Sequence, residues 1–138
     1  MNFESGDHTA ALLKNGKVLM TGGFNGGPVP GAELFDPTTG SFSPTGIMGT
    51  ARTQHTATLL SDGTVLVAGG FSFVPPGSFS SGEIFDPATD MFTPTGPMGA
   101  ARFLHTATRL NNGLVLITGG QSKTSVPGVY AKSAELYK

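Results

Sequence analysis

Histidine and glutamate are the residue types in this chain best suited to acid–base or metal chemistry, and each opens a triplet that occurs three times. The histidines open His-Thr-Ala triplets at His8, His55 and His105. The glutamates open Glu-aliphatic-aromatic triplets at Glu33, Glu83 and Glu135. A residue that occurs once per repeat is distributed around the fold by the repeat itself. We therefore expect each histidine to hydrogen-bond locally and fix its own repeat, and we predict no catalytic residue and no metal site.

The spacing of these residues defines an internal repeat. A glycine doublet follows each histidine by 14 residues, and two of the glutamates precede the next histidine by 22 residues. Only the stretch from doublet to glutamate varies, at 11, 14 and 16 residues. The repeats are therefore 47 and 50 residues long, with all length variation in one loop. A constant frame with one variable loop is typical of a structural repeat that presents a functional face.

The elements that must position these residues are short strands. In the second repeat, a β-prone segment and the buried-type run Val65–Ala68 flank Asp62-Gly63, which predicts a hairpin with positive φ at both turn residues. A third strand around Glu83 ends at Asp86-Pro87, and a fourth surrounds Phe92. No segment has a convincing helical apolar period. Each repeat is predicted to be a four-stranded antiparallel meander.

Composition supports an all-β domain and excludes several functions. The 138 residues include 21 glycines and 10 prolines, and only 12% are charged. A net charge of −1 gives no electrostatic footprint for nucleic acid or an anionic membrane. No apolar run is long enough to span a bilayer, and the N-terminal residues lack the features of a signal peptide. The sequence therefore does not identify the cellular compartment. The absence of cysteine excludes disulfides and thiolate sites.

Several features that recur together resemble the kelch repeat, a blade of a β-propeller. They are the segment 98–102 before His105, the Asn-Gly or Asp-Gly hairpin, the glycine doublet and the Glu-x-Phe-Asp-Pro strand. The sequence of these motifs is similar to that of bacterial kelch proteins and of galactose-oxidase-like propellers. The similarity to bacterial kelch proteins would suit an exported protein. The chain departs from the common kelch motif in its aromatic residues, since kelch repeats usually carry Tyr on the third strand and Trp on the fourth. Here the third strands carry Phe35, Phe85 and Tyr137, and the fourth strands carry Phe42 and Phe92.

The resemblance implies an all-β chain of about three kelch-type propeller blades. We predict a single unit, 1–138, with blades at about 6–46, 53–96 and 103–138, the last lacking its fourth strand. Three blades cannot close a ring, because propellers need about four to eight. Two solutions stay open: two chains form a six-bladed homodimer, or the chain is a piece of a longer propeller. The segment 1–4, with Phe3 in place of Phe92, is a candidate for the missing strand.

The variable loops, at 24–31, 71–81 and 121–133, carry the candidate contact residues. Exposed aromatic side chains on loops suit protein or sugar recognition. The candidates for ligand or partner binding are Phe24, Asn25, Phe71, Phe73, Gln121, Lys123 and Tyr130, together with Arg109, a charge on an inner strand. Arg52 and Arg102 precede two of the histidines, and we expect their guanidinium groups to bind neighbouring carbonyls or the recurring glutamates.

Enzyme signatures are absent from the sequence. It contains no G-x-S-x-G, P-loop or H-E-x-x-H motif, and a copper radical site of the galactose-oxidase type needs a cysteine crosslinked to tyrosine. We predict no enzyme activity and no cofactor. The leading hypothesis is a non-catalytic binding or scaffold module, made of two chains, with a protein or glycan ligand. The alternatives are a carbohydrate-binding or galactose-oxidase-like propeller fragment and a purely structural repeat with no ligand.

Overall fold

The computed structural model describes residues 1–2, 4–73, 75–122 and 129–137. These residues form antiparallel strands joined by turns and loops, and they contain no helix. They accordingly include no helix that is long and apolar enough to cross a membrane. The all-β prediction is confirmed.

The strands form three main sheets in chain order. The first sheet contains β1 Thr9–Leu12, β2 Val18–Thr21, β3 Ala32–Asp36 and β4 Ser41–Pro44. The second sheet contains β5 Thr56–Leu59, β6 Val65–Ala68, β9 Gly82–Asp86 and β10 Met91–Thr95. The third sheet contains β11 Thr106–Arg109, β12 Val115–Thr118 and β15 Ala134–Tyr137. Each sheet is a meander in which sequential strands are paired, as the sequence predicts.

Two small hairpins occupy the variable loops of the second and third repeats. They are β7 Phe71–Phe73 with β8 Pro76–Ser78, and β13 Gln121–Ser122 with β14 Val129–Tyr130. Both leave the main sheet directly after a glycine doublet. They therefore lie at the end of the sheets where the second strand stops, which we call the loop end. The opposite end, where the first strand turns into the second, is the hairpin end.

The turns at the hairpin end differ from the prediction. In the second sheet the Leu60 N–H donates to the Thr64 carbonyl at 2.8 Å, so the loop contains three residues rather than two. Its glycine, Gly63, has a φ of +99°, whereas Asp62 is not among the residues with positive φ. The Asp62 carboxylate instead accepts the Thr64 N–H at 2.9 Å. A type I turn closed by a left-handed glycine satisfies this geometry, so the expectation of two positive φ values is wrong.

The sheets pack face to face, and their first strands lie next to one another at the inner edge. Between the first and second sheets, apolar side chains such as Leu19 and Leu34 meet Val65 and Phe85. Between the second and third sheets, Leu66 packs with Val115, Ile117 and Met98. Successive residues of a strand point to opposite faces, so the central strand β6, with a sheet on each side, is buried at every position. This arrangement is that of neighbouring propeller blades.

The N-terminal residues do not supply a fourth strand to the third sheet of the same chain. The Asn2 backbone N–H donates to the Glu33 carboxylate at 2.8 Å, and its side-chain amide donates to the Phe42 carbonyl at 3.3 Å. Both partners belong to the first sheet, so the prediction that the segment 1–4 completes the third is wrong for a single chain. Phe3, which that prediction used, lies outside the described residues.

Candidate functional site

A buried arginine joins the loop end of the second sheet to its third strand. The Arg52 side chain is fully buried and donates to the carbonyl oxygens of Gly69 at 2.7 Å and Ser81 at 3.0 Å. It also donates to the Glu83 carboxylate at 2.9 Å. The other oxygen of Glu83 accepts the Gly49 N–H at 2.7 Å. The predicted role of this arginine is confirmed: it binds both neighbouring carbonyls and the recurring glutamate.

The third sheet repeats the same arrangement. Arg102 donates to the carbonyl oxygens of Gly119 at 2.9 Å and Ser133 at 3.2 Å, and to the Glu135 carboxylate at 2.7 Å. The Glu135 side chain is 25% exposed, whereas that of Glu83 is 6% exposed. The two ion pairs therefore share their geometry and differ in how far water reaches the carboxylate.

The first sheet has a serine where the other two have arginine. Ser5 lies three residues before His8, as Arg52 lies before His55, and its hydroxyl donates to the Gly22 carbonyl at 2.9 Å. Glu33 is 1% exposed, and its Oε2 atom has no hydrogen-bond partner among the described residues. The hydroxyl replaces one bond of the guanidinium, and no cation pairs with Glu33 in the described part of the chain.

The histidines connect neighbouring sheets. The Nε2 atom of His55 is hydrogen-bonded to the hydroxyls of Thr9 at 2.9 Å and Thr21 at 3.0 Å, both on the first sheet. The Nε2 atom of His105 is hydrogen-bonded to the hydroxyl of Thr56, on the second sheet, at 3.0 Å. The expectation that each histidine fixes its own blade is wrong for these two, because their partners are supplied by the preceding sheet.

Burial keeps these two imidazoles neutral at pH 7. Burial lowers the pKa of His55 to about 3, and the nearby Arg52 charge adds to the effect. Burial, with the Arg102 charge, lowers the pKa of His105 to about 4. A neutral ring whose Nε2 is held by threonine hydroxyls suits a structural contact between sheets.

Four phenylalanine rings form a continuous cluster at the loop end. Phe24, from the first repeat, meets Phe73 with ring centroids 5.3 Å apart, and Phe73 meets Phe71 at 4.8 Å. Phe71 meets Phe103 at 5.0 Å. Phe71 is buried, whereas Phe24 and Phe73 are 37% and 47% exposed. We call these four residues the aromatic cluster; its buried ring anchors the β7–β8 hairpin and its two exposed rings face solvent.

Three more of the predicted contact residues lie at the same end. Gln121 forms an isolated β-bridge with Phe103 and pairs with the exposed Tyr130 in the β13–β14 hairpin. Asn25 is exposed and follows Phe24 in the chain. Their side-chain amides and hydroxyl bring hydrogen-bonding groups to an otherwise apolar surface.

The remaining two predicted residues are not brought to the aromatic cluster. Arg109 is exposed on the innermost strand β11 and pairs with Val115, beside the turn at the hairpin end. It lies at the opposite end of the third sheet from the cluster. Lys123 lies outside the described residues.

Sequence reasoning missed Phe103, which links the cluster to the third repeat. Phe103 stands two residues before His105, where the other repeats have Gly6 and Thr53. All three residues form the same kind of bridge with a loop residue, and only Phe103 brings a ring to it. The signal in the sequence was the aromatic residue itself, which stands at a position where the other repeats have small residues and where the backbone forms the same β-bridge in every repeat.

Comparison with known families supports this architecture. Residues 52–99 match the family model of the kelch motif. The matched segment begins at the buried Arg52, spans the whole second sheet and ends at Gly99, beside Glu135. A search of curated proteins finds no match. The chain therefore carries a kelch motif, which lies between a four-stranded and a three-stranded sheet of the same strand order, and its described residues form an all-β, propeller-like fold.

Proposed function

We propose that the chain is a non-catalytic binding and scaffold module that presents the aromatic cluster and its neighbouring loops to a ligand. The observation that carries the proposal is the convergence of rings from three repeats into one partly exposed surface. Aromatic side chains supply large contact areas at low conformational cost, which is why they dominate binding surfaces.

The frame beneath this surface is suited to holding it rigid. Buried ion pairs, histidine–threonine contacts and two apolar layers fix the sheets, whereas length variation is confined to the loops at one end. A surface on a fixed frame loses less conformational entropy when it binds than a flexible one. The strand order and the histidine position recur in every repeat, whereas the loops differ in length and sequence, so the loops are the part that selects a ligand.

The proposal includes a second copy of the chain. Among the described residues, the first and third sheets each pack against the second sheet alone, so each leaves one face uncovered. Two copies of three sheets make six, which lies within the range that closes a propeller ring. In such a ring the loop ends of both copies point to the same side and form one binding face.

A screen of the intact chain against a random peptide library and a glycan array tests the binding function. We expect a ligand whose affinity falls at least tenfold in the variants Phe24→Ala and Phe73→Ala. Met91→Ala is the matched control, because Met91 is also an exposed apolar residue but lies on β10, outside the loops. A ligand that binds both cluster variants with the same affinity as the wild type would contradict this site. The absence of binding in both screens would favour a purely structural repeat.

A carbohydrate ligand is the second candidate for the same surface. It is favoured by the combination of exposed aromatic rings with the neutral side-chain amides of Asn25 and Gln121, since sugars offer apolar faces and hydroxyl groups. The two arms of the screen separate the candidates: binding on the glycan array alone identifies the carbohydrate ligand, and binding to peptides alone identifies a protein partner.

A further inference from the structure

We propose that a second copy of this chain docks its first sheet onto the open face of the third sheet, so that His8 of one copy binds the Thr106–Thr118 pair of the other. This inference rests on the two-copy ring of the proposed function and assigns the residues that close it. The two junctions inside the chain provide the template for the third.

The burial of the second strands shows that the two open faces are complementary. In β6, which has a sheet on both sides, all four residues are buried. In β2 only the second and fourth residues are buried, whereas in β12 only the first and third are buried. The partly exposed residues of one strand occupy the positions that are buried in the other. Stacking the first sheet on the third would give both strands the fully buried pattern of β6.

A threonine pair on the third sheet matches the pair that receives a histidine inside the chain. The hydroxyls of Thr9 and Thr21 lie 2.9 Å apart on the first sheet, and both bind His55 Nε2. The hydroxyls of Thr106 and Thr118 lie 2.8 Å apart at the corresponding positions of the third sheet, but this pair is exposed. No histidine binds it among the described residues.

His8 is the histidine that such a pair requires. It corresponds to His55 and His105 in the repeat, and its Nδ1 atom is hydrogen-bonded to the Ser5 carbonyl at 3.1 Å. No hydrogen bond of its Nε2 atom occurs in the part of the chain that the structure describes. The unused nitrogen of the first sheet and the unused hydroxyl pair of the third are therefore the two halves of one contact.

The first glycines of the three doublets also differ in whether a following segment covers them. A Cβ added to Gly22 would lie 2.7 Å from the His55 ring and 3.0 Å from the Met48 side chain, both of which come from the following repeat. A Cβ added to Gly69 would meet His105 and Met98 in the same way. A Cβ added to Gly119 would meet none of the described residues within 4 Å. The third doublet has the conformation of the others without the segment that covers them.

The N-terminal residues have the spacing of that covering segment. Met48 and Met98 stand seven residues before their histidines and are 2% and 7% exposed. Met1 stands seven residues before His8 and is 44% exposed. In the proposed junction, Met1 and His8 of the second copy cover Gly119 as their counterparts cover Gly22 and Gly69.

Two exposed leucines on the open faces are accounted for by the same junction. Leu136 is 57% exposed and corresponds to Ile84, which packs on the apolar cluster between the second and third sheets. Leu12 is 64% exposed and corresponds to Leu59, which packs on the apolar cluster between the first and second sheets. Because the contact is head to tail, two copies make it twice, and the ring closes at six sheets.

Sedimentation equilibrium of the intact chain over a hundredfold concentration range tests the junction. We expect a mass near twice 14.1 kDa for the wild type. Leu136→Lys should shift the chain to a monomer, or weaken association at least a hundredfold, because it buries an unpaired charge. Met91→Lys is the control: Met91 is 60% exposed on the second sheet, so its variant should remain a dimer. Circular dichroism identifies variants that keep their strands.

The outcomes separate this inference from the binding function. A wild-type monomer at all concentrations, an open series of larger masses, or a dimeric Leu136→Lys variant would each overturn the inference. Loss of ligand binding in Phe73→Ala with the dimer intact concerns the loop surface alone. If the dimer forms but no peptide or glycan binds, the junction stands and the proposed ligand-binding function fails.

Discussion

A buried arginine joins the loop end of the second sheet, and likewise of the third, to a glutamate on its third strand. Removing Arg52 would leave Glu83, at 6% exposure, as a buried charge without its cation, held only by the backbone N–H groups of Gly49 and Thr50. Breaking a buried ion pair in this way costs about 3–5 kcal/mol. We predict that Arg52→Ala lowers the free energy of unfolding by that amount, as measured by urea denaturation at pH 7.

Arg102→Ala provides the matched comparison. Its partner Glu135 is 25% exposed, so water can solvate the carboxylate once the guanidinium is gone. The loss of stability should therefore be smaller than for Arg52→Ala. Equal losses for the two variants would show that the arginines act through their carbonyl contacts rather than through the ion pair.

The neutral His55 makes stability depend on pH. Its pKa is about 3 in the folded chain and about 6.5 in the unfolded chain, so below pH 6.5 the unfolded state binds the proton first. Stability is therefore full above pH 6.5 and falls as the pH drops towards 3. At pH 5 the loss from this residue is about 2 kcal/mol, and His105, with a lowered pKa of about 4, adds to it.

Urea denaturation at pH 7 and pH 5 checks this dependence, and proton NMR of the imidazole identifies its source. The Cε1 proton of His55 should show no titration between pH 8 and pH 5 in the folded chain. A His55 resonance that titrates near pH 6.5 would contradict the buried neutral state.

The strands and their order follow from the sequence because they are set by local signals. The glycine doublets, the Asx-Gly turns and the buried-type run of β6 act within one sheet, and they predicted the strands of the three main sheets, although the turn at Asp62-Gly63 has another geometry. The hydrogen-bond partners of His55 were not predicted, because Thr9 and Thr21 lie 46 and 34 residues away and contact it only when two sheets pack. The ladder of the β7–β8 hairpin was also not evident, because its short strands contain Pro76 and Gly77. For the same reason, the sequence identified Phe24, Phe71 and Phe73 singly but not the cluster that they form.

The β7–β8 hairpin should respond very differently to the loss of its two phenylalanines. Phe71 is 3% exposed and packs on both Phe73 and Phe103, so Phe71→Ala should cost about 3–5 kcal/mol of unfolding free energy. Phe73 is 47% exposed, so Phe73→Ala should cost about 1 kcal/mol or less. Thermal or urea unfolding of both variants measures the difference. A similar cost for the two would mean that the hairpin is not anchored by its buried ring.

The described residues form three main sheets of the same strand order, with four, four and three strands, stacked so that the second sheet lies between the other two. What varies along the stack is therefore the environment of equivalent residues rather than their local geometry. Gly22, Gly69 and Gly119 show this most clearly, since their φ values are +60°, +65° and +67°. An alanine at any of the three carries the same left-handed backbone cost, about 1–2 kcal/mol. Differences among the three alanine variants then report only what lies against each glycine.

Those differences predict separate effects on folding and on assembly. Gly69→Ala would place its Cβ 2.5 Å from the Arg102 carbonyl oxygen, and Gly22→Ala would make the same contact with the Arg52 carbonyl oxygen. Both should lose clearly more unfolding free energy than the backbone cost alone. Gly119→Ala makes no such contact with the described residues, so it should fold with only the backbone cost. If a second copy covers Gly119, however, the same methyl group would clash at the junction, and the dimer should dissociate at higher concentrations than the wild type in sedimentation. An unchanged dimer in Gly119→Ala would place the contact between copies elsewhere on the molecule.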